Sequence, residues 1–179
     1  MPFRHSKVLT SLKPFLFYKW VIGMAKIKIK KTKPYKLAYV EHVGDYGNVP
    51  FDKYIPQLYG WAKEKKVRPG FRSIGIYYNC PETTPPEKCR SEIGIPVHGT
   101  PEPGGEIKIK DVPVMEVAVI KHAGPAKDYS KTYGALNEWM TQSGYEWAGP
   151  AFEVYTKKPK VKGGETIIYA EVQVPVRKK

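Results

Sequence analysis

The feature of this sequence that most constrains its fold is an internal repeat at an offset of 78–80 residues. Residues 26–30 (KIKIK) match 106–110 (EIKIK), and residues 37–44 (LAYVEHVG) match 117–124 (VAVIKHAG). The later matches, in the same order, are Trp61 with Trp139, residues 74–77 with 152–155, and residues 92–97 with 171–176. Matches that recur in one order indicate two copies of one structural unit.

Both copies have the same predicted plan, a βαββ module. Apolar residues at helical spacing mark the helices, and alternating side chains mark the strands. We therefore predict one domain over residues 26–179, with repeats at 26–103 and 106–177. A short Ile/Lys strand opens each repeat. In the first repeat we predict a longer strand at 36–43, a helix at 48–66 and a final strand pair at 72–79 and 91–97. The corresponding elements of the second repeat are a strand at 114–122, a helix at 125–143 and a strand pair at 151–156 and 167–176.

The predicted fold class is α+β, with a mostly antiparallel sheet and pseudo-two-fold symmetry. Two turn segments, residues 81–88 and 157–164, contain the Pro, Lys and Gly that join the paired strands. Asn48 is the predicted N-cap of the first helix. Two helices cannot cover both faces of so large a sheet. We therefore expect both helices on one face and an open ligand groove on the other.

Two strands near the C-terminus carry the side chains that point to function. Residues 151–156 and residues 167–176 each alternate between an apolar set and a polar set. The polar sets are Glu153 and Tyr155 in the first segment, and Tyr169, Glu171 and Gln173 in the second. If the strands pair, we expect the polar sets to share a face that presents two carboxylates and two tyrosines together.

The net charge of +13 is concentrated at the chain ends. Residues 1–36 carry ten Lys or Arg and no acid, and residues 177–179 carry three more. Residues 37–176 hold 17 basic and 17 acidic residues, so the body is neutral. Basic ends of this kind either stay solvated or make weak, salt-sensitive contacts with a polyanion.

Other features of the sequence set the expected compartment. Residues 1–25 are expected to form a disordered extension, and an interfacial helix is the alternative. Their apolar runs are interrupted and too short for a membrane span. Cys80 and Cys89 flank a Pro-rich turn and either close it as a disulfide or stay reduced. A zinc site would need more ligands than these cysteines supply. We expect a cytoplasmic protein with no integral membrane segment, no metal and no cofactor.

Four motifs follow one another in an order that is typical of a known family. They are a strand ending in His-x-Gly, a helix carrying a Trp, the Phe-Glu-Val-Tyr strand at 152–155 and the Glu-Val-Gln-Val-Pro-Val strand at 171–176. Over residues 26–177 the chain resembles the GyrI-like small-molecule-binding domain, the effector-binding domain of many AraC-type and MerR-type regulators. The resemblance implies a duplicated βαββ fold, a ligand groove between the repeats and a pocket carboxylate at Glu153. No helix-turn-helix precedes the repeat, so the domain is expected to act alone or in trans.

Glu153 is the first candidate binding residue. Its counterpart in the first repeat is Gly75, an asymmetry that a single binding site explains and a symmetrical scaffold does not need. A carboxylate among apolar neighbours is unfavourable unless it is paired, and a cation between aromatic walls would pair it. The alternative is an exposed glutamate on a solvated face. The further candidate ligand-binding residues are Tyr155, Tyr169, Glu171, Trp147, Tyr77 and Tyr78.

Three pairs of side chains recur in both repeats and are expected to be structural. Trp61 and Trp139 lie on the apolar stripes of the helices, which favours core packing. His42 and His122 end equivalent strands, which favours a hydrogen bond into the following turn. Glu92 and Glu171 also recur, and this weakens Glu171 as a binding residue.

The leading hypothesis is a binding protein for amphipathic or cationic aromatic compounds, acting in sensing or sequestration. The first alternative is a hydrolase of reactive small molecules such as cyclopropanoid toxins. In it Glu153 is the base, and Tyr155 or Tyr169 donates to the leaving group. The second alternative is a protein-interaction module that resembles a gyrase inhibitor and acts through the basic ends. No phosphate-binding loop or nucleophile elbow favours acyl or phosphoryl transfer.

Overall fold

The computed structural model describes residues 27–179, which form nine strands and two α-helices. The helices are α1 (Phe51–Glu64) and α2 (Tyr129–Ser143). The strands are β1 (Lys28–Lys31), β2 (Tyr35–Val43), β3 (Ile74–Tyr77), β4 (Arg90–Val97), β5 (Lys108–Val112), β6 (Glu116–Gly124), β7 (Tyr145–Trp147), β8 (Ala151–Lys162) and β9 (Glu165–Lys178). The predicted extension, residues 1–25, lies outside the described residues.

The strands form one antiparallel sheet in the order β1-β6-β9-β8-β3-β4-β2-β5, and β7 also pairs with β9. The order is symmetrical about the β8–β3 pair, since β1 and β5 hold the edges, β6 and β2 come next, and β9 and β4 follow. Each predicted repeat therefore places its first strand against the second strand of the other repeat. The predicted α+β class, a mostly antiparallel sheet with two helices, is confirmed. The duplication itself stays a prediction.

The sheet is strongly curved, because short connections join strands that are far apart in its order. Residues 32–34 connect β1 at one edge to β2 near the other edge. Three residues span at most about 14 Å between the flanking Cα atoms, so the edges must approach each other. The connection from β5 to β6, residues 113–115, is equally short, and the two connections run side by side where Thr32 N–H donates to the Met115 carbonyl at 2.8 Å. The helix-free face is consequently the inside of the curve.

Side chains fill that inner face. Leu37, Ile74, Ile76 and Phe152 form an apolar cluster there, and the first and third of these are fully buried. Two ion pairs flank the cluster, Lys110 with Glu92 and Lys30 with Glu171. The expectation of an open groove on this face is therefore wrong, because the curvature of the sheet packs the face against itself.

The two helices lie on the outer face, over opposite halves of the sheet. Leu58 and Trp61 of α1 pack on β2 and β4, and Leu136 and Met140 of α2 pack on β6 and β9. Burying each such side chain stabilises the fold by roughly 2 kcal/mol. The burial of Trp61 agrees with its predicted core role. Space remains between the helices above the centre of the sheet.

The helix starts differ from the sequence expectation. α1 begins at Phe51 after Pro50, which makes no side-chain cap. Asn48 is not its N-cap but ends a short 3-10 turn at Tyr46–Asn48, in which Asp45 accepts a hydrogen bond from Gly47 N. A second such turn, Ala126–Asp128, precedes α2. The first turn overlaps the predicted helix 48–66 only at Asn48, whereas the whole second turn lies inside the predicted helix 125–143.

Strands β8 and β9 extend into a long hairpin that replaces the turn expected at 157–164. Lys162 pairs with Glu165, and Gly163 and Gly164 form the connection with φ of +56° and +79°. Only glycine adopts two such conformations in succession readily, so a two-residue turn forms there. Among residues 27–179, neither helix is long and apolar enough to cross a membrane.

Candidate functional site

A cavity of about 1700 Å³ lies between α1 and α2, above the central strands β3 and β8. Its floor is formed by side chains of β3 and β8 that point to the helix side. Aromatic rings dominate its walls. The aromatic lining residues are Tyr46, Phe51, Tyr59, Phe71, Tyr77, Tyr78, Tyr129, Tyr133, Trp147 and Tyr155. A volume of this size accommodates a drug-sized organic molecule.

Glu153 lies on the cavity floor and is 6% exposed. The Tyr133 hydroxyl donates to its Oε1 at 2.9 Å, and the Tyr155 hydroxyl donates to its Oε2 at 3.1 Å. Within the described part of the chain, no Lys, Arg or His forms an ion pair with this carboxylate. Each oxygen therefore has a neutral donor, and the negative charge has no counter-charge.

Burial raises the pKa of Glu153 to about 7. Hydrogen bonds from tyrosine hydroxyls oppose this shift, because they stabilise the ionised form. The Tyr129 hydroxyl also lowers the Glu153 pKa, but it is buried and has no hydrogen-bond partner within the described residues. The carboxyl group is thus poised between its two protonation states near neutral pH.

A pair of tyrosines closes the floor beside Glu153. The hydroxyl oxygens of Tyr77 and Tyr155 are 2.8 Å apart. Because Tyr155 donates to Glu153, the bond between the tyrosines has Tyr77 as its donor. Both rings lie over Gly75, where an added Cβ would be 2.8 Å from Tyr77 Cε2 and 3.0 Å from Tyr155 Oη. Gly75 therefore leaves the space that the tyrosine pair occupies.

Helix α2 supplies the second wall. Tyr133 stacks on Trp147 with ring centroids 6.4 Å apart, and the Trp147 indole N–H donates to Asn137 Oδ1 at 2.9 Å. From α1, Phe51 meets Tyr155 edge to face at 5.5 Å. Aromatic rings from both helices therefore line the cavity that contains the floor carboxylate, and the faces of such rings attract organic cations.

Four of the seven sequence-predicted site residues are brought together here. The four that line the cavity are Glu153, Tyr155, Tyr77 and Trp147. Tyr155 is hydrogen-bonded to both Glu153 and Tyr77, and Trp147 is linked to Glu153 through Tyr133. Tyr78 reaches the cavity edge, but its hydroxyl accepts a hydrogen bond from Lys110 Nζ at 3.0 Å on the inner face of the sheet.

Tyr169 and Glu171 do not belong to this cavity, so the expected shared face of the two polar sets is wrong. In the β8–β9 pair, Glu153 lies opposite Val172, and Glu171 lies opposite Val154. Directly opposed residues project from the same face, so Glu171 points to the inner face. Burial raises its pKa, but hydrogen bonds and charges led by Lys30 outweigh burial and leave it lowered. Tyr169 lies against Lys157, whose ammonium is 5.4 Å from its ring centroid.

Sequence reasoning missed the helical contribution to the cavity. Tyr129 and Tyr133 of α2 and Phe51 and Tyr59 of α1 all line it. The available signal was the i, i+4 spacing of Tyr129 and Tyr133, which puts two phenol hydroxyls on one helix face. An apolar stripe that ends in hydroxyl groups needs polar partners, and Glu153 is the partner of Tyr133.

The repeated histidines have structural contacts. His122 bonds through Nδ1 to Thr132 and through Nε2 to the Gly124 carbonyl in the following turn, as expected. His42 instead contacts the Tyr54 hydroxyl at 3.3 Å. Burial lowers the pKa of His122, which keeps its ring neutral. Within residues 27–179 no group of three His, Cys, Asp or Glu is arranged to hold a metal, and both cysteines are free.

The chain resembles proteins of one family in sequence and in fold. The family model for the GyrI-like small molecule binding domain matches residues 25–177. A DNA gyrase inhibitor of Yersinia enterocolitica is 28% identical over 153 residues, which are 82% of this chain and 96% of that protein. The crystal structure of the EcmrR C-terminal domain has a TM-score of 0.72 at 18% identity, over 87% of this chain and 99% of that chain. The structure of SAV2435 bound to tetraphenylphosphonium has a TM-score of 0.55 at 10% identity, over 85% of this chain and 94% of that chain.

Proposed function

Because the chain belongs to the GyrI-like small-molecule-binding domain family, we propose that it binds lipophilic organic cations in the cavity between α1 and α2. The observation that carries this proposal is Glu153, a buried carboxylate without a counter-charge on a floor walled by aromatic rings. Taking a charge out of water is unfavourable unless an opposite charge meets it. A bound cation supplies that charge, and the rings contribute cation–π attraction and apolar contact.

The hydrogen bonds of Glu153 favour one kind of cation. Each carboxylate oxygen already accepts a bond from a tyrosine, Tyr133 or Tyr155. A quaternary cation without N–H groups needs no further acceptor and gains only from charge and ring contacts. Tetraphenylphosphonium, the ligand named with SAV2435, has this chemistry and is the probe that we propose to use. The physiological role would be sensing or sequestration of such compounds in the cytoplasm, where Cys80 and Cys89 stay free.

The test is a calorimetric titration of the full chain with tetraphenylphosphonium and, in parallel, with the anionic isostere tetraphenylborate. We expect saturable binding of the cation and none of the anion, because shape and hydrophobicity are matched and only the charge differs. Glu153→Gln should weaken cation binding by roughly 30-fold or more, the loss expected when a buried counter-charge is removed. Glu171→Gln is the matched control, because Glu171 lies on the other face of the sheet. Equal affinities of the two glutamine variants would overturn the assignment.

Small-molecule hydrolysis is the second candidate function. It is favoured by the Glu153–Tyr155 hydrogen bond together with a Glu153 pKa of about 7, which suits a general base that activates water. Mass spectrometry of a reactive cyclopropane-containing compound, incubated with the wild type and with Glu153→Gln, separates the two functions. Catalytic formation of a hydrated product by the wild type alone supports hydrolysis, whereas recovery of unchanged compound from both supports binding.

A further inference from the structure

The β8–β9 hairpin extends beyond the sheet as a ribbon with both faces exposed. Residues 156–166 are exposed along both strands. Lys158, Lys160 and Lys162 lie on this ribbon, and none of them pairs with an acid of the described chain. The acid of the ribbon, Glu165, is already paired with Lys127. The ribbon is therefore a projection with uncompensated positive charge.

Two apolar side chains of this region are exposed to an unusual degree. Val161, next to the hairpin turn, is 73% exposed, and Phe71, beside the base of the hairpin, is 99% exposed. The hydrogen bond from Tyr155 N to the Ser73 carbonyl, 3.0 Å long, continues the β3–β8 pairing toward Phe71. Five residues from the hairpin base to Val161 span roughly 15 Å. Val161 projects from the opposite face of the ribbon to Lys160 and Lys162, so a ribbon that enters a surface by its tip brings both faces into contact with it. We call the set of Phe71, Lys158, Lys160, Val161 and Lys162 the hairpin patch.

An exposed aromatic ring and a β-branched side chain among unpaired lysines have the chemistry of a membrane-interface contact. Apolar side chains lose contact with water when they enter the headgroup region, and lysines are attracted to anionic headgroups. Nucleic acid would satisfy the lysines but would leave Val161 in water. We propose that the hairpin patch docks on the surface of an anionic lipid bilayer.

The patch also adjoins the cavity. Phe71 and Lys158 are among the cavity-lining residues, so docking would set the cavity mouth at the bilayer surface. Docking would therefore place the proposed cation site where lipophilic cations concentrate, a consequence that rests on the proposed function. The membrane contact does not rest on it, because vesicle binding is measured without ligand.

The test is flotation of the full chain with phosphatidylcholine vesicles that contain roughly a third phosphatidylserine, compared with phosphatidylcholine alone. Lys160→Glu/Lys162→Glu should weaken binding to the anionic vesicles by at least about 25-fold, since each lysine contributes roughly fivefold. Lys63→Glu/Lys88→Glu is the matched control, because both lysines are exposed and unpaired within the described chain but lie outside the hairpin. The control should stay within about twofold of the wild type.

A second arm tests the apolar part. Val161→Ser should weaken vesicle binding by roughly tenfold, and its matched control Val43→Ser, at another exposed valine, should not. Circular dichroism and thermal unfolding verify, without any ligand, that both variants fold. No vesicle binding by the wild type, or hairpin variants equal to it, overturns the proposal. A third result would also overturn the proposal. If the lysine reversals weaken binding to duplex DNA and Val161→Ser leaves vesicle binding unchanged, the patch is a polyanion site.

Discussion

Glu153 lies directly opposite Gly75 in the β3–β8 pair, and the Tyr77–Tyr155 hydrogen bond passes over that glycine. The two residues at this central position are also equivalent positions of the predicted repeat. Only one of them carries a side chain, because a second would enter the space of the tyrosine pair. The asymmetry that marks Glu153 in the sequence is therefore a packing requirement as well as a site feature.

Gly75→Ala should weaken tetraphenylphosphonium binding by roughly tenfold and lower the free energy of unfolding by about 1–3 kcal/mol, as overpacking does. The new methyl group would push Tyr155 away from Glu153. Titration calorimetry and chemical denaturation measure the two effects. Gly60→Ala is the control, because nothing lies within 4 Å of its Cβ position in α1, and alanine in a helix should stabilise it by up to about 1 kcal/mol. An unchanged affinity for Gly75→Ala would show that the tyrosine pair does not depend on the glycine.

The pH dependence of cation binding should report the ionisation of Glu153. A cation binds the ionised carboxylate, so affinity should fall about tenfold per pH unit below pH 7 and level off above it. The surrounding tyrosines do not titrate in this range, because burial raises their pKa values well above the usual one. Calorimetry at pH 7 in two buffers with different ionisation enthalpies should detect proton release on binding. The profile of Glu153→Gln should be flat, and a flat profile for the wild type would contradict the mechanism.

Tyr133→Phe should move the pH profile of binding to higher pH. The Tyr133 hydroxyl lowers the Glu153 pKa by bonding to the ionised form, so its removal raises that pKa. At pH 7 the affinity should fall several-fold, by about 1 kcal/mol for one hydrogen bond, while the affinity at pH 9 should change less. Tyr59→Phe is the control, since Tyr59 lines the cavity but donates to the Gly70 carbonyl. Equal shifts in both variants would mean that the effect is not carried by Glu153.

Glu153→Gln should make the protein more stable above pH 7. The carboxyl pKa is about 7 in the folded chain and near 4.5 when it is exposed, so the folded state binds the proton more tightly. The stability from this group is present below pH 4.5 and is lost as the pH rises through 7, with a difference of about 3 kcal/mol. Urea denaturation at pH 5 and pH 8 should therefore show a smaller loss on raising the pH for Glu153→Gln than for the wild type. Parallel losses in the two proteins would contradict a raised pKa.

The order and type of the elements could be predicted from the sequence, except for β7 and the outer part of the β8–β9 hairpin. Alternation and helical spacing are local properties of the chain, and they placed α1, α2, β2 and β6 to within a few residues, whereas β8 continues to Lys162 beyond its predicted end at 156. The contrast between Glu153 and Gly75 also identified the carboxylate that lies in the cavity. The helix starts were less accurate, because a 3-10 turn has the same local residue preferences as a first helical turn.

The faces on which side chains meet were decided by the tertiary structure. The two-residue turn at Gly163–Gly164 pairs odd-numbered residues of β8 with even-numbered residues of β9. Two one-residue register shifts between Tyr155 and Lys160 each add a residue on β8, and together they preserve this odd–even relation. A single residue of register exchanges the two faces of a strand, so alternation within each strand could not show that Glu153 faces away from Glu171. The cavity depends in the same way on contacts between distant segments, because Tyr133 comes from a helix. The inner face closes because the three-residue connections 32–34 and 113–115 join strands from opposite edges of the sheet. Local pattern determines which residues share a face of one element, but only packing between elements decides which faces come together.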